Sequence, residues 1–330
     1  MKRGLVLGKF MPLHKGHVAL IDFALQHCDE LIILISASES EQIPGEIRLN
    51  WVKETYKHDD RAKPVLLNYD EVLLPNTSVS SEGVSKLWAD YLKIQLPPVD
   101  IIFASEAYGA YMGRFLNCGS MIFDEPRKIV PVSATQIREA PFAYWEFLPD
   151  AVKPYYTKKV CLYGTESTGK TTFAQKLAAH FNTVFVPEMA RDILEHTDQC
   201  TEQDLQAIAG LHAQAINEQL KQANKLLFVD SDLNITRSYS RFLFNKKLEV
   251  PRWIEEANRS DLYLYLDADA PYVQDGTRLT EAERNKLDES HADELNNQGI
   301  SFILIQGNNW DTRFDSCVDA VNAFINGGRG

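Results

Sequence analysis

The sequence predicts two doubly wound α/β domains, each built on a parallel β-sheet with helices on both faces. Short, unbroken apolar runs alternate with amphipathic segments from end to end, as buried parallel strands and their crossover helices do. The length of 330 residues suits two domains better than one. The alternation pauses in a stretch rich in proline and aromatic residues between Pro141 and Pro154. We therefore predict one domain over residues 1–154 and a second over residues 155–330.

The first domain opens with a β-α-β pattern. An apolar run at residues 5–7 is followed by Val18, Ile21, Leu25 and Cys28 at helical spacing, and then by an apolar run at 31–35. Further strands are predicted at residues 65–67, 101–103 and 121–123. The pattern indicates a sheet of five strands.

A second β-α series begins after the boundary. Its strands are predicted at residues 160–163, 184–186, 226–229, 262–266 and 302–305. One long helix is predicted from residue 201 to 223, with Thr201 and Asp204 as its N-terminal capping pair.

Charge and composition disfavour several classes of protein. The formal net charge of −12 is unfavourable for binding a polyanion, so we expect no nucleic acid partner. The five cysteines are scattered without a C-x-x-C pair, which favours a reducing cytoplasm over a disulfide framework. The apolar start is too short for a signal peptide, and no apolar run is long enough to span a bilayer. We expect a cytoplasmic protein without membrane insertion; the sequence leaves a homo-oligomer open.

Residues 164–171 match the P-loop pattern G-x-x-x-x-G-K-[ST] at every fixed position. The motif follows an apolar strand and begins a helix. This context favours a P-loop over the alternative, a glycine turn that caps an ordinary helix. Lys170 is predicted to reach the β- and γ-phosphates of ATP, and the Thr171 hydroxyl to bind Mg²⁺. The predicted nucleotide-binding residues of this loop are Gly164, Glu166, Ser167, Gly169, Thr171 and Thr172.

Carboxylates follow two of the predicted strands, where doubly wound sheets bind their ligands. A kinase needs one carboxylate beside the acceptor hydroxyl and another for Mg²⁺. We predict Glu188 as the base and Asp230 as the magnesium ligand, with Asp230 or Asp232 as alternatives for the base; each is also compatible with a helix cap or a solvated loop. Arg278 and Arg284 are predicted to close over the phosphates, or else to be ordinary surface charges.

A second anion site is predicted at residues 8–17, which read Gly-Lys-Phe-Met-Pro-Leu-His-Lys-Gly-His and lead from the first strand into the first helix. His14 and His17 can donate hydrogen bonds to a triphosphate as charge develops on the leaving pyrophosphate. Zinc ligation and chance core histidines are the alternatives. Later in the same domain, Ser133 and Gln136 form a predicted capping box, and Arg138 lies one turn further on.

The pattern G-x-F-x-P-x-H-x-G-H with a later S-x-T-x-x-R resembles the nucleotidylyltransferase superfamily, and its fusion to a P-loop domain resembles the NadR family. The resemblance implies a Rossmann-like HxGH nucleotidylyltransferase followed by a P-loop NTPase-fold kinase. The activities it implies are nicotinamide-nucleotide adenylyltransferase and ribosylnicotinamide kinase. ATP, ribosylnicotinamide, nicotinamide mononucleotide (NMN) and NAD are the expected ligands, with Mg²⁺ as cofactor.

The resemblance also assigns residues by position. His14, His17 and Arg138 are implied to be catalytic in the first domain. Gly8, Lys9, Phe10, Ser133 and Thr135 are implied to contact the nucleotide there. The nicotinamide substrates are expected at Arg48, Trp51, Trp88, Asp232 and Tyr272.

One departure and two alternatives complete the prediction. Some family members carry an N-terminal helix-turn-helix repressor domain, whereas the first strand is predicted within five residues of Met1, so operator binding is not expected. The same fold pair acting on another nucleoside or nucleotide is one alternative. A nucleotide-sensing regulator without turnover is the other, and the intact Lys170, Thr171, His14 and His17 favour turnover over it.

Overall fold

The structure is a computed structural model that describes residues 1–76, 81–190, 200–269 and 280–327. The chain divides into two compact units, Met1–Tyr155 and Tyr156–Gly330. Each unit contains a five-stranded parallel sheet with helices between successive strands. The predicted fold class is therefore confirmed.

The first unit has its strands in the order β3-β2-β1-β4-β5, all parallel. Its strands are β1 (Arg3–Gly8), β2 (Glu30–Ala37), β3 (Ala62–Asn68), β4 (Ile101–Ala104) and β5 (Gly119–Ile122). Its helices are α1 (Lys15–Leu25), α2 (Gly45–Thr55), α3 (Glu82–Gln95), α4 (Tyr108–Leu116), α5 (Ala134–Glu139), a 3₁₀ turn at Trp145–Phe147, and α6 (Lys153–Tyr156), which reaches the division.

The second unit has the strand order β10-β9-β6-β8-β7, again parallel throughout. Its strands are β6 (Lys158–Tyr163), β7 (Val184–Val186), β8 (Leu226–Asp230), β9 (Leu262–Leu266) and β10 (Ile303–Ile305). Its described helices are α7 (Lys170–His180), α8 (Glu202–Leu220), α9 (Leu233–Phe244), α10 (Arg252–Asn258), α11 (Glu281–Asn297) and α12 (Trp310–Gly327).

The central strands are the buried ones, as their unbroken apolar composition predicts. Every residue of β8 is buried, and so is β2 from Leu31 to Ala37. Both predicted capping boxes are present: Thr201 with Asp204 begins α8, and Ser133 with Gln136 begins α5. Helix α8 ends at Leu220, three residues earlier than predicted.

The parallel strands bring the predicted motifs to one edge of each sheet, the edge where doubly wound folds bind ligands. In the first unit, β1 leads directly into residues 8–17. In the second, β6 leads into the P-loop and β8 ends at Asp230. Among the described helices, none is both long and apolar enough to cross a membrane.

Candidate active sites

The two histidines of the first unit lie at the start of helix α1. His14 is the N-cap residue in extended conformation, and His17 is the third residue of the helix. Their rings stack with centroids 3.7 Å apart and an interplanar angle of 28°. A Cβ on Gly16 would lie 2.9 Å from Cε1 of His14, so glycine is needed for this ring to fold back over the helix start.

Main-chain hydrogen bonds fix the tautomer of both rings. The N–H of Gly16 donates to Nδ1 of His14 (3.1 Å), and the N–H of His14 donates to Nδ1 of His17 (3.3 Å). Because Nδ1 accepts in each ring, a neutral imidazole here carries its proton on Nε2. Each histidine therefore retains one N–H donor that the helix does not use.

Both rings are neutral near pH 7. Burial, with a smaller contribution from the charge of Arg127, lowers the pKa of His14 to about 4. The pKa of His17 also lies well below its ordinary value, chiefly because of burial and then because of His14 and Arg127. Two neutral N–H donors beside a nearby guanidinium form a site that suits a polyanion.

The predicted second half of this site reaches the histidine loop. The Arg138 guanidinium donates to the main-chain oxygen of Met11 and also to Oγ1 of Thr135 (3.1 Å). Arg138 and Met11 are 127 residues apart in sequence. The fold therefore joins the start of α5, with Ser133 as its N-cap, to the loop that carries the histidines.

A buried charge cluster supports the same loop. Arg48 is completely buried, and its guanidinium donates to the main-chain oxygens of Lys9 (2.8 Å) and Ser36 (3.1 Å) and to Oε2 of Glu41 (2.6 Å). Nζ of Lys9 lies 2.7 Å from the other carboxylate oxygen of Glu41. Arg48 thus ties the ends of β1 and β2 together, and all of these contacts are internal.

The remaining predicted residues of the first unit lie in or near its core. Trp88 is buried, packs edge-on against Tyr69 and donates from Nε1 to the oxygen of Pro75 (3.2 Å). Trp51 is also buried and meets Tyr155 edge-on. Phe10 is buried with a left-handed φ of 49° and contacts the His17 ring; Gly8 ends β1 against the Phe10 ring. Substrate contacts for these residues remain predictions.

Hydrogen bonds from Lys170 and from two residues of other helices hold the P-loop of the second unit. Nζ of Lys170 donates to the main-chain oxygen of Thr165 (2.9 Å). Nε of Arg284 donates to the main-chain oxygen of Glu166 (3.0 Å), and the Tyr239 hydroxyl donates to the Glu166 carboxylate (2.9 Å). Arg284 is buried against the loop. The alternative of an exposed surface charge is therefore wrong for Arg284, because its guanidinium supports the loop backbone.

Thr171 and Asp230 meet at the mouth of the loop. The Thr171 hydroxyl donates to Oδ2 of Asp230 (2.5 Å), and Asp230 is fully buried at the end of β8. A hydroxyl and a carboxylate are oxygen ligands of the kind that Mg²⁺ takes alongside substrate phosphates. Among the described residues, no group of three or more His, Cys, Asp or Glu side chains could hold a metal; a magnesium site completed by phosphates needs no such group.

The other carboxylates differ in their surroundings. Glu188 is half-buried just beyond β7, close enough for its charge to raise the pKa of His212 against the larger effect of burial. Asp232 is buried as the N-cap of α9 and accepts from the Tyr263 hydroxyl (2.7 Å) and the N–H of Asn234 (2.8 Å). Burial raises the pKa of Asp232 to about 6.

The remaining predicted residues of the second unit lie partly outside the described part of the chain. Tyr272 and Arg278 lie outside the described residues. Ser167 and Thr172 lie on the P-loop and at the start of α7, as the motif requires. The sequence did not indicate the roles of Glu41, which pairs with Arg48 and Lys9, or of Arg127, whose charge acts on both histidines. Neither residue belongs to a motif, and both reach the site only through the fold.

Two family models match the chain, one in each unit. A model described as cytidylyltransferase-like matches residues 5–140. A model described as an AAA domain matches residues 159–313. The first match contains the histidine-bearing loop at residues 8–17, and the second contains the P-loop motif at residues 164–171.

Known proteins are similar to the whole chain or to its first unit. The trifunctional NAD biosynthesis/regulator protein NadR of Escherichia coli is 32% identical, over 98% of this chain and 83% of that protein. The nicotinamide-nucleotide adenylyltransferase of Thermococcus onnurineus is 26% identical over 42% of this chain and 71% of its own. A crystal structure of NadR in complex with NAD and AMP-PNP shares the fold, with a TM-score of 0.79, 23% identity and coverage of 98% and 96%. With the histidine-bearing loop and the P-loop motif both inside a nearly full-length match of 32% identity, the chain belongs to the NadR family.

Proposed function

We propose that the chain is a bifunctional enzyme of NAD salvage. The second unit transfers the γ-phosphoryl group of ATP to the 5′-hydroxyl of ribosylnicotinamide, which gives NMN and ADP. In the first unit, the phosphate of NMN attacks the α-phosphorus of a second ATP, which gives NAD and pyrophosphate. The observation that carries this proposal is that each unit has its own phosphate loop at the carboxyl edge of its own sheet.

In the first unit, the two histidines act as neutral donors. Their Nε2–H groups hydrogen-bond to the triphosphate, and these bonds strengthen as negative charge builds on the departing pyrophosphate. Arg138 adds a fixed positive charge beside them, since its guanidinium is already held against Met11 and Thr135. No proton has to leave either ring, and no covalent enzyme intermediate is formed.

In the second unit, binding of ATP replaces the contact between Lys170 and the Thr165 oxygen with contacts to phosphate. Thr171 and Asp230 would hold Mg²⁺, which neutralises charge on the β- and γ-phosphates. Glu188 orients the acceptor hydroxyl and accepts its proton as the oxygen bonds to phosphorus. Burial lowers the pKa of His212, whose ring interacts with the charge of Glu188. His212 therefore stays neutral and does not donate a proton to the Glu188 carboxylate.

We place this enzyme in the cytoplasm, with ATP, ribosylnicotinamide, NMN and NAD as its small-molecule partners. All five cysteines are free thiols, which suits a reducing compartment. The formal net charge of −12 disfavours nucleic acid as a partner.

Product analysis tests the proposal. The purified chain is incubated with ribosylnicotinamide, ATP and Mg²⁺, and nucleotides are separated over time. NMN should form first and NAD afterwards, and NMN supplied in place of ribosylnicotinamide should also be converted to NAD with ATP and Mg²⁺. Turnover of other nucleosides in preference to ribosylnicotinamide would indicate a different substrate for the same fold pair. Binding of NMN and ATP without any product would indicate a regulator.

A further inference from the structure

The indole ring of Trp310 lies directly on the P-loop. Trp310 begins α12 at the carboxyl edge of the sheet, just after β10, and only β9 separates β10 from the strand that leads into the loop. A Cβ on Gly169 would lie 2.3 Å from Cζ3 of Trp310. Gly169 also has a left-handed φ of 92°, so both the backbone and the indole require glycine here.

The ring is held in place on more than one side. Phe173 contacts it edge-on with centroids 5.5 Å apart, and the guanidinium carbon of Arg313 lies 5.8 Å from its centroid. Arg313 is itself buried and donates to the main-chain oxygen of Asp267 (3.0 Å). Oδ1 of Asn309 accepts two main-chain N–H groups of the first turn of α12 (3.0 Å each), which fixes the backbone that carries the indole.

Despite these contacts, the Trp310 side chain is not buried in the core. Trp310 is 42% exposed, whereas Phe173 beneath it is fully buried. A partly exposed aromatic ring that its neighbours already hold in place provides an apolar surface at low entropic cost. This surface borders the loop that the proposed function assigns to the triphosphate of ATP.

We infer that Trp310 stacks on the adenine base of the ATP bound by the second unit; this inference rests on the proposed kinase function. The phosphates lie in the loop around Gly169, and the base, joined to them through the ribose, must rest on a surface that borders the loop. Among the aromatic residues shown above to contact the P-loop, Trp310 is the most exposed: Phe173 is fully buried, and Tyr239 is only partly buried and donates its hydroxyl to the Glu166 carboxylate. Stacking of a base on an aromatic side chain changes affinity by roughly 5- to 150-fold on alanine substitution.

The experiment compares Trp310→Ala and Trp310→Phe with Trp253→Ala. Trp253 is a matched control, because it is a tryptophan of the same unit that is 45% exposed on α10. Trp310→Ala should raise the KM for ATP in the kinase reaction by roughly 5- to 150-fold, with the KM for ribosylnicotinamide unchanged. Trp310→Phe should retain most of the affinity, and Trp253→Ala should match the wild type.

Inorganic tripolyphosphate separates base stacking from simple support of the loop. It offers the phosphate chain without a base, so its inhibition of the kinase should be equal in wild type and Trp310→Ala. Equal weakening of ATP and tripolyphosphate would overturn the inference and leave Trp310 as a packing residue against Gly169. An unchanged KM for ATP in a folded Trp310→Ala variant would overturn it as well.

Direct binding keeps the test independent of the substrate. AMP-PNP should quench indole fluorescence in the wild type and in Trp253→Phe, and the part of the quench that is lost in Lys170→Ala should also be lost in Trp310→Phe. If the wild type shows this quench but does not phosphorylate ribosylnicotinamide, the proposed substrate is wrong while the adenine contact stands. A P-loop-dependent quench that persists in Trp310→Phe would overturn the adenine contact.

Discussion

Replacement of Arg48 by methionine decides between a structural and a substrate-binding role for this residue. The family resemblance assigns Arg48 to the nicotinamide substrate, whereas the structure buries it completely among Lys9, Ser36 and Glu41. Arg48→Met leaves the Glu41 carboxylate buried with Lys9 as its remaining cation. Removal of one partner of a buried pair costs about 3–5 kcal/mol.

Because Lys9 still pairs with Glu41, we expect the lower end of that range, about 3 kcal/mol. Urea unfolding followed by circular dichroism measures this loss as a lower midpoint for the first unit. Arg48→Met combined with Glu41→Gln should recover part of the stability, because the stranded carboxylate is removed. The reasoning is refuted if Arg48→Met unfolds like the wild type within about 0.5 kcal/mol and yet raises the KM for NMN. That result would support the assignment of Arg48 to the nicotinamide substrate.

Lys170→Ala should lower ribosylnicotinamide phosphorylation by about 100-fold or more while NAD is still formed from added NMN; loss of both activities in a folded protein would contradict separate sites. His17→Ala should do the reverse and stop the sequence at NMN, and stoichiometric zinc in the purified protein would instead support metal ligation. Glu188→Gln should lower kinase turnover while the affinity for ATP is retained, and Asp230→Asn should also weaken the dependence on Mg²⁺. Near-normal turnover of Glu188→Gln would indicate that an aspartate, not Glu188, is the catalytic base. His291 has a pKa lowered to about 3 by burial, so its stabilising effect is present above pH ~6.5 and is lost as the pH falls toward 3. We expect a loss of up to about 5 kcal/mol, and the urea midpoint of His291→Asn should depend less on pH over that interval.

The fold could be predicted from the sequence because buried parallel strands leave a strong signal. All ten predicted strands are present, from the run at residues 5–7 to the run at 302–305, which begins one residue later as β10. Helix ends were less accurate. Residues 221–223 contain no glycine or proline, so nothing in that composition marked the end of α8 at Leu220.

The candidate sites could be predicted only where a motif carries them. The P-loop and the histidine pair are local patterns, so their residues were found from spacing alone. Glu41 reaches Arg48 and Lys9 only through the packing of the first sheet, and a single sequence contains no sign of that contact. Asp232 is the buried N-cap of α9, the alternative that its position after a strand left open, and its contact with the nicotinamide substrate stays a prediction.

The transfer of isotopic label tests the central claim most directly. The chain is supplied with ribosylnicotinamide, Mg²⁺ and ATP labelled either at the γ-phosphorus or at the α-phosphorus, and the NAD that forms is purified and cleaved into its two halves. The account predicts that γ-label appears in the phosphate of the NMN half and α-label in the adenylyl half. NAD without γ-label, or γ-label recovered only in pyrophosphate and inorganic phosphate, would contradict two successive transfers by this chain.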